Sequence, residues 1–94
     1  MSHIEGIDPT GRKILDLWRK RHGEQVAALE TTGRLAARLL DAQGEVGRSL
    51  IEVKRRLEKA DPLDPHPTML ERIDYFKLIE SQAWEEVAKR IPAP

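Results

Sequence analysis

"LLDAQGEVGRSLIEV", residues 39–53, matters most for the architecture, because it places Gly44 and Gly47 inside a pattern that is otherwise strongly helical. At 100° per residue, the apolar and small residues from 24 to 60 fall on two stripes about 120° apart, and charged residues fill the remaining arc. A bend at either glycine would shift the stripes, and they run through unshifted. We therefore predict one long helix over 24–60, with a break near Gly44 as the alternative.

Both stripes consist mostly of apolar or small residues. The first stripe also includes residues that precede the long helix. The first stripe consists of Leu15, Trp18, His22, Val26, Leu29, Gly33, Ala36, Leu40, Gly44, Gly47 and Ile51. The second stripe consists of Leu35, Leu39, Ala42, Val46, Leu50, Val53 and Leu57. One short neighbouring helix cannot cover both stripes. We therefore expect a coiled-coil-like homo-oligomer, most simply a two-fold dimer.

A shorter helix is expected before the long one. Asp8 followed by Pro9 is a typical helix start, since aspartate caps the first turn and the fixed φ of proline suits it. The basic residues 19–22, followed by Gly23, are typical of a helix end. This pattern predicts a first helix over 9–22 and a turn at Gly23, with Gly23 inside one continuous helix as the alternative.

A proline-rich segment separates the long helix from a last one. Three prolines in residues 61–67 disfavour helical geometry, so this segment is a predicted linker. Thr68 and Glu71 then match a capping box and begin a predicted helix over 69–91. The sequence thus predicts an all-α fold, a bundle or hairpin of about three helices with a long central helix, as a single domain over 1–94.

The composition narrows the classes of partner. Sixteen basic and sixteen acidic residues give a net charge of zero, whereas proteins that bind nucleic acid usually carry a basic excess. The absence of cysteine excludes disulfides, thiolate nucleophiles and Cys-ligated zinc. Residues 1–13 hold no apolar region of a secretory signal, and no apolar run reaches the roughly 18 residues of a membrane span. We expect a cytoplasmic protein with no cofactor, no nucleic-acid partner and no membrane partner.

Glu80 carries the strongest chemical signal, because it lies at the centre of the apolar stripe of the last helix. A carboxylate in such a seam must pair or shift its pKa, since burying an unpaired charge is costly. We favour a structural ion pair with Lys54, Arg48 or His22, or a solvated edge position. The alternative is a general acid/base or a polar contact to a ligand.

Trp84 is expected to pack on the glycines of the long helix. If the linker folds the last helix back, Trp84 lies opposite Gly44 and Gly47, and its indole fills the gap that they leave. The alternative is an exposed or interface tryptophan. The candidate interface and binding residues are Leu15, Trp18, Val26, Leu29, Gly33, Leu40, Gly44, Gly47, Ile51, Phe76, Glu80 and Trp84.

Two further clusters are interpreted as structural. Arg19, Lys20 and Arg21 form the only dense basic cluster, and since the cluster does not occupy one face we favour a solvated helix end over a nucleic-acid contact. The linker brings two aspartates and one histidine close together, but their spacing matches no metal motif. Turn-forming aspartates explain them, and we expect no metal site.

Helix-on-helix burial is the strongest property of the sequence. We expect a non-catalytic protein–protein interaction or assembly module, such as a regulator, adaptor or structural subunit, with itself as the first partner. The alternative is a small all-helical enzyme or ligand-binding protein with a site between subunits around Glu80. The layout is similar in size to the all-helical chorismate mutases, a resemblance that implies inward Arg and Lys side chains and an Arg-Glu pair after a proline loop. Here Arg34, Arg38 and Arg48 lie on the charged arc and the Glu-Arg pair is reversed, so the resemblance covers layout alone.

Overall fold

The computed structural model describes residues 5–94, and every regular element within them is an α-helix. The four helices, in chain order, are α1 (Pro9–Arg21), α2 (Gly23–Thr31), α3 (Leu35–Ala60) and α4 (Met69–Ala88). The predicted all-α class is confirmed. The predicted count of about three helices is wrong, because the segment 24–60 holds two. Residues 1–4 lie outside the described residues. They belong to residues 1–13, for which no secretory signal is expected.

The chain breaks at Gly33, where a helix interior is predicted. Gly33 has a φ of +71°, in the left-handed region that favours glycine. The Arg34 N–H donates to the Leu29 carbonyl at 2.9 Å, and the Gly33 N–H donates to the Glu30 carbonyl at 3.2 Å. These bonds form a Schellman motif, which ends α2 and satisfies its last carbonyls. The prediction of one helix over 24–60 is therefore wrong, and α3 begins after this turn.

The two glycines of the stretch at 39–53 do not interrupt the chain. Gly44 and Gly47 both lie inside α3, so the prediction that neither bends the helix is confirmed. Near Gly23, for which the sequence left two alternatives, α1 ends before His22. His22 is the C-cap residue of α1 and the N-cap residue of α2. The chain therefore turns beside Gly23, as predicted.

Polar caps begin both α1 and α4. The Asp8 carboxylate accepts the Gly11 N–H at 2.9 Å. The Thr68 hydroxyl oxygen accepts the Glu71 N–H at 3.1 Å and donates to the Glu71 carboxylate at 3.1 Å. Caps of this kind stabilise a helix by about 1 kcal/mol each. They fix the two starts where the sequence predicts them, and α4 ends slightly before its predicted end.

The described chain divides into two compact units. The first contains the described residues up to Gly47 together with Ile91–Pro94, and the second contains Arg48–Arg90. The buried apolar side chains of the first unit are Ile14, Leu15, Trp18, Val26, Leu35, Leu39, Ala42 and Val46. Those of the second unit are Val53, Ile79, Ala83 and Val87. The single domain expected over 1–94 stays a prediction.

Gln43 of α3 fixes the segment before α1 in the first unit. Its amide oxygen accepts the Asp8 N–H at 3.1 Å, and its amide nitrogen donates to the Gly6 carbonyl at 3.1 Å. Gly6 has a φ of +83°, and a Cβ at Gly11 would collide with the Gln43 amide. Glycine at these two positions therefore permits the close approach that both hydrogen bonds need.

Candidate interaction surface

The two stripes of α3 differ in exposure. The second stripe faces the core, since Leu39 and Val46 are almost completely buried. On α3 the first stripe is open to solvent: the side chains of Leu40 and Ile51 are 37% and 53% exposed. Because burial of apolar area stabilises a fold, the second stripe is the side of α3 that stabilises the chain itself, whereas the first stripe leaves apolar side chains exposed.

The first stripe has two glycines within α3, Gly44 and Gly47. Gly44 is exposed, and a Cβ built on Gly47 would meet no atom within 4 Å among residues 5–94. The expectation that the Trp84 indole fills the gap left by Gly44 and Gly47 joins residues of the two units and stays a prediction. Trp84 is half-buried within the second unit.

The first stripe is covered in α1 and α2, in contrast to α3. Leu15, Trp18 and Val26 are buried in the core of the first unit, and Leu29 is half-buried. Their apolar area is already removed from water within the chain, so the first three are core residues rather than members of an exposed stripe. Gly33 is exposed in the turn between α2 and α3.

The beginning of α4 exposes the largest set of apolar side chains in the described chain. Met69, Leu70, Ile73 and Phe76 are between 44% and 79% exposed. Their spacing places them on one side of the first turns of the helix. We call these four residues the α4 apolar face. Further along the helix Ile79, Ala83 and Val87 are buried, whereas Leu78, on another side of α4, is exposed.

The end of α3 explains why this face has no partner within the second unit. Contacts of Tyr75 with Asp61 and of Glu80 with Lys54 show that α4 runs back along α3. The last turns of α3 read "RRLEKA", in which Leu57 is the single large apolar residue. The antiparallel course of α4 thus brings its beginning toward an end of α3 that carries mostly charged residues. Met69, Leu70 and Ile73 were not singled out from the sequence as binding residues, although this charged end of α3 is the signal that could have found them.

Tyr75 supports the aromatic residue of this face. Its hydroxyl donates to the Asp61 carbonyl at 2.9 Å, which ties α4 to the linker. Its ring meets the Phe76 ring edge to face, with centroids 5.3 Å apart, an attractive arrangement. Desolvation raises the pKa of Tyr75, and the charges of Glu58 and Asp61 add to this effect. The hydroxyl thus stays protonated and able to donate.

Glu80 forms an exposed ion pair. Its Oε1 lies 3.8 Å from Nζ of Lys54, and the two side chains are 71% and 35% exposed. Lys54 is one of the partners expected from the sequence, but the premise that Glu80 is buried in an apolar seam is wrong. An exposed pair contributes about 0–1 kcal/mol. The geometry is that of a solvated pair between α3 and α4, and it offers no enclosed site for acid/base chemistry.

A second charged group joins α3 to the end of α4. The Glu86 carboxylate accepts from Arg56 and, at 3.3 Å, from Arg90. The hydrogen bond from Arg56 lowers the pKa of Glu86, and Glu86 in turn raises the pKa of Arg56. Glu86 is therefore held in its charged form within the second unit.

The basic cluster lies at a helix end. Arg19, Lys20 and Arg21 occupy the last turn of α1 and are exposed, and Nη2 of Arg19 lies 3.4 Å from Oε1 of Glu30. Cations at this end interact favourably with the helix dipole. This placement matches the interpretation of a solvated helix end.

The part of the chain that the structure describes, residues 5–94, shows neither a metal-binding cluster nor a membrane-spanning helix. Among these residues no three His, Asp or Glu side chains gather closely enough to hold a metal ion. None of the helices in this range is long and apolar enough to cross a membrane. Comparison with protein-family models, with curated proteins and with solved structures gives no match for this chain.

Proposed function

We propose that this chain is a non-catalytic assembly module that binds a second copy of itself through the α4 apolar face, most simply as a two-fold dimer. The observation that carries the proposal is the exposure of four large apolar side chains on one side of a single helix. Contiguous apolar surface of this kind marks interaction sites in soluble proteins. A cytoplasmic regulator, adaptor or structural subunit is the role that we propose for such a module.

The energetics favour covering this face. Complete burial of a Leu, Ile, Phe or Met side chain contributes about 1.5–3 kcal/mol relative to exposure. In a two-fold interface each residue is used twice, so partial burial of the four side chains is worth several such increments. Part of this gain offsets the loss of translational and rotational freedom on association.

The charges around the face favour a second copy over a strongly charged partner. Glu71, Arg72, Asp74 and Lys77 surround the apolar residues, so both signs are present on the same helix. A surface that pairs with itself needs both signs, because a single sign would repel its copy. The net charge of the whole chain is zero, so no long-range repulsion opposes association.

The Lys54–Glu80 pair supplies a polar edge to the face. Glu80 lies one turn beyond Phe76 on the same side of α4, and Lys54 faces it from α3. Interfaces typically consist of an apolar centre with a solvated polar rim. In this arrangement Glu80 lies at the rim of an interface. We therefore propose a rim role for Glu80 rather than a role in an enzyme site.

A matched pair of substitutions tests the proposal. Ile73→Lys places a charge in the α4 apolar face, whereas Leu78→Lys makes a comparable change on another side of the same helix, at a side chain that is 52% exposed. We expect Ile73→Lys to weaken self-association by about 100-fold or more, since a desolvated charge costs several kcal/mol. Light scattering coupled to size exclusion measures the mass of each variant over a range of concentrations.

The matched control decides the interpretation. Leu78→Lys is expected to keep the mass of the unmodified chain, and far-UV circular dichroism checks that both variants stay helical. Equal loss of association in both variants would place the interface elsewhere or reflect a general effect of charge. Unchanged association in Ile73→Lys would remove the α4 apolar face from the account.

A further inference from the structure

Two side chains of the first unit hold consecutive carbonyls of the segment Ile91–Pro94. The indole N–H of Trp18 donates to the Pro92 carbonyl at 2.9 Å. Nη2 of Arg38 donates to the Ala93 carbonyl at 2.6 Å. The Arg38 guanidinium also lies over the Trp18 ring, 5.8 Å from its centroid. Two backbone carbonyls of the segment are therefore bound directly by side chains of the first unit.

The segment reads Ile-Pro-Ala-Pro, which favours an extended backbone. Each proline fixes its own φ near −65°, and each residue before a proline is driven out of helical geometry. Such a sequence prefers the polyproline II conformation, in which no internal hydrogen bonds form and the carbonyls stay free to accept. The carbonyls of Pro92 and Ala93 are used in this way.

The two donors are held on helices. Trp18 lies on α1 and is 2% exposed, and Arg38 lies on α3. Stacking of the guanidinium over the ring adds a cation–π attraction that orients both donors. Aromatic-lined grooves are the sites at which proteins recognise proline-rich peptides in the polyproline II conformation. Donors held on rigid elements lose little freedom when a peptide binds.

We propose that Trp18 and Arg38 form a binding site for extended Pro-x-Pro peptides, and that Ile91–Pro94 fills it as an intramolecular ligand. The ligand class is a short proline-containing peptide read through two consecutive carbonyls. This site lies in the first unit and its residues are not part of the α4 apolar face. The proposal therefore stands or falls independently of self-association.

A free peptide has to compete with the tethered segment Ile91–Pro94 for the site at Trp18 and Arg38. A tethered segment acts at an effective concentration of about 1 mM or more, so a free peptide of similar affinity competes poorly with it. Replacing Pro92 and Pro94 with glycine removes the conformational preference of the tethered segment while keeping the chain at full length. The site is then open to a peptide added in trans.

The experiment is a titration of the full-length chain followed by the indole N–H signals in a proton–nitrogen NMR spectrum. The probe is the peptide Lys-Arg-Ile-Pro-Ala-Pro, which reproduces residues 89–94, and the control peptide carries glycine at both proline positions. Loss of one signal in Trp18→Phe assigns the Trp18 indole. In the Pro92→Gly/Pro94→Gly variant we expect the peptide to shift this signal with an apparent Kd about tenfold or more below that for the unmodified chain.

Side-chain controls separate recognition from general effects. Arg38→Ala in the glycine background is expected to weaken peptide binding at least several-fold, about the effect of one charge-assisted hydrogen bond, whereas Arg34→Ala, one turn earlier on the exposed side, leaves it unchanged. If the glycine variant loses its helical signal, titration of the unmodified chain decides instead. A saturable shift of the Trp18 indole there, specific for the proline peptide, supports the site. No shift up to about 10 mM peptide in either chain, or an equal shift with the glycine peptide, overturns the proposal.

Discussion

Helices α1 and α4 both begin at a polar cap and both carry apolar residues at helical spacing. Three apolar residues of α1 are buried, whereas those at the beginning of α4 are exposed. In α1 the side chains of Ile14, Leu15 and Trp18 are buried. In the first turns of α4, Ile73 and Phe76 are nearly half exposed. The difference does not come from the hydrophobicity of the helices. It comes from what lies beside them, since the end of α3 that faces the beginning of α4 is mostly charged.

The largest effect on stability is expected at two adjacent leucines of α3, which differ in burial as the apolar residues of α1 and α4 do. Leu39 is fully buried and Leu40 is 37% exposed. Leu39→Ala is expected to lower the free energy of unfolding by about 2–5 kcal/mol, because it leaves a cavity in the first unit. Leu40→Ala is expected to cost less than about 1 kcal/mol, since its site is already wet. Urea unfolding followed by circular dichroism measures both.

This leucine pair also tests whether a partner covers the first stripe. A cost for Leu40→Ala that equals that of Leu39→Ala, and that grows with protein concentration, would mean that a second copy buries Leu40. The interface would then extend along α3 and would no longer be confined to α4.

A smaller effect on stability is expected at two glycines, one with a positive φ and one inside a helix. Gly33 has a φ of +71° at the end of α2, so Gly33→Ala is expected to destabilise the chain by about 1–2 kcal/mol. Gly47 lies inside α3, where an added Cβ meets no atom of the described chain within 4 Å. Gly47→Ala is expected to stabilise by about 0.5–1 kcal/mol. Thermal unfolding gives the sign of each change.

The opposite signs are the diagnostic feature of this pair. Stabilisation by Gly33→Ala would mean that α2 and α3 form one helix in solution. Destabilisation by Gly47→Ala would mean that a second helix packs closely on that side of α3, so that the glycine is needed for its approach.

The smallest expected effect concerns pH and the charged contacts of the second unit. Hydrogen bonding from Arg56 lowers the pKa of Glu86 in the folded chain. Its contribution to stability is thus fully present above the unfolded-state pKa of about 4.5 and is lost as pH falls through the lower folded value. Glu86→Gln should therefore reduce stability at pH 7 and make little difference at pH 2. Urea unfolding at both pH values measures this, with the exposed neighbour Glu85→Gln as control. An equal loss at both pH values would contradict the assignment.

Local patterns predicted where α1 and α4 begin and missed the break between α2 and α3. The unshifted stripes correctly predicted that α3 passes through Gly44 and Gly47. The same argument failed at Gly33, because a Schellman turn can leave the stripes in phase across it. Thr31 and Thr32 before that glycine are poor helix formers, and this composition is the signal that indicates the end.

The functional surfaces depended on contacts that local patterns do not contain. The sequence placed Phe76 and Glu80 on one stripe of the last helix, but which turns of that stripe are covered depends on the side chains of α3. The bond from Trp18 to Pro92 joins residues 74 positions apart. No periodicity or short motif encodes such a pair, so it could be found only from the folded chain.

Sedimentation equilibrium of the unmodified chain measures whether it binds a second copy. If the α4 apolar face binds a second copy, the mass should rise with concentration from the 10.7 kDa of one chain toward twice that value, without passing to larger species. A mass that stays at that of a single chain from about 1 µM to 1 mM would contradict the account, because an interface worth less than about 4 kcal/mol could not define an assembly module.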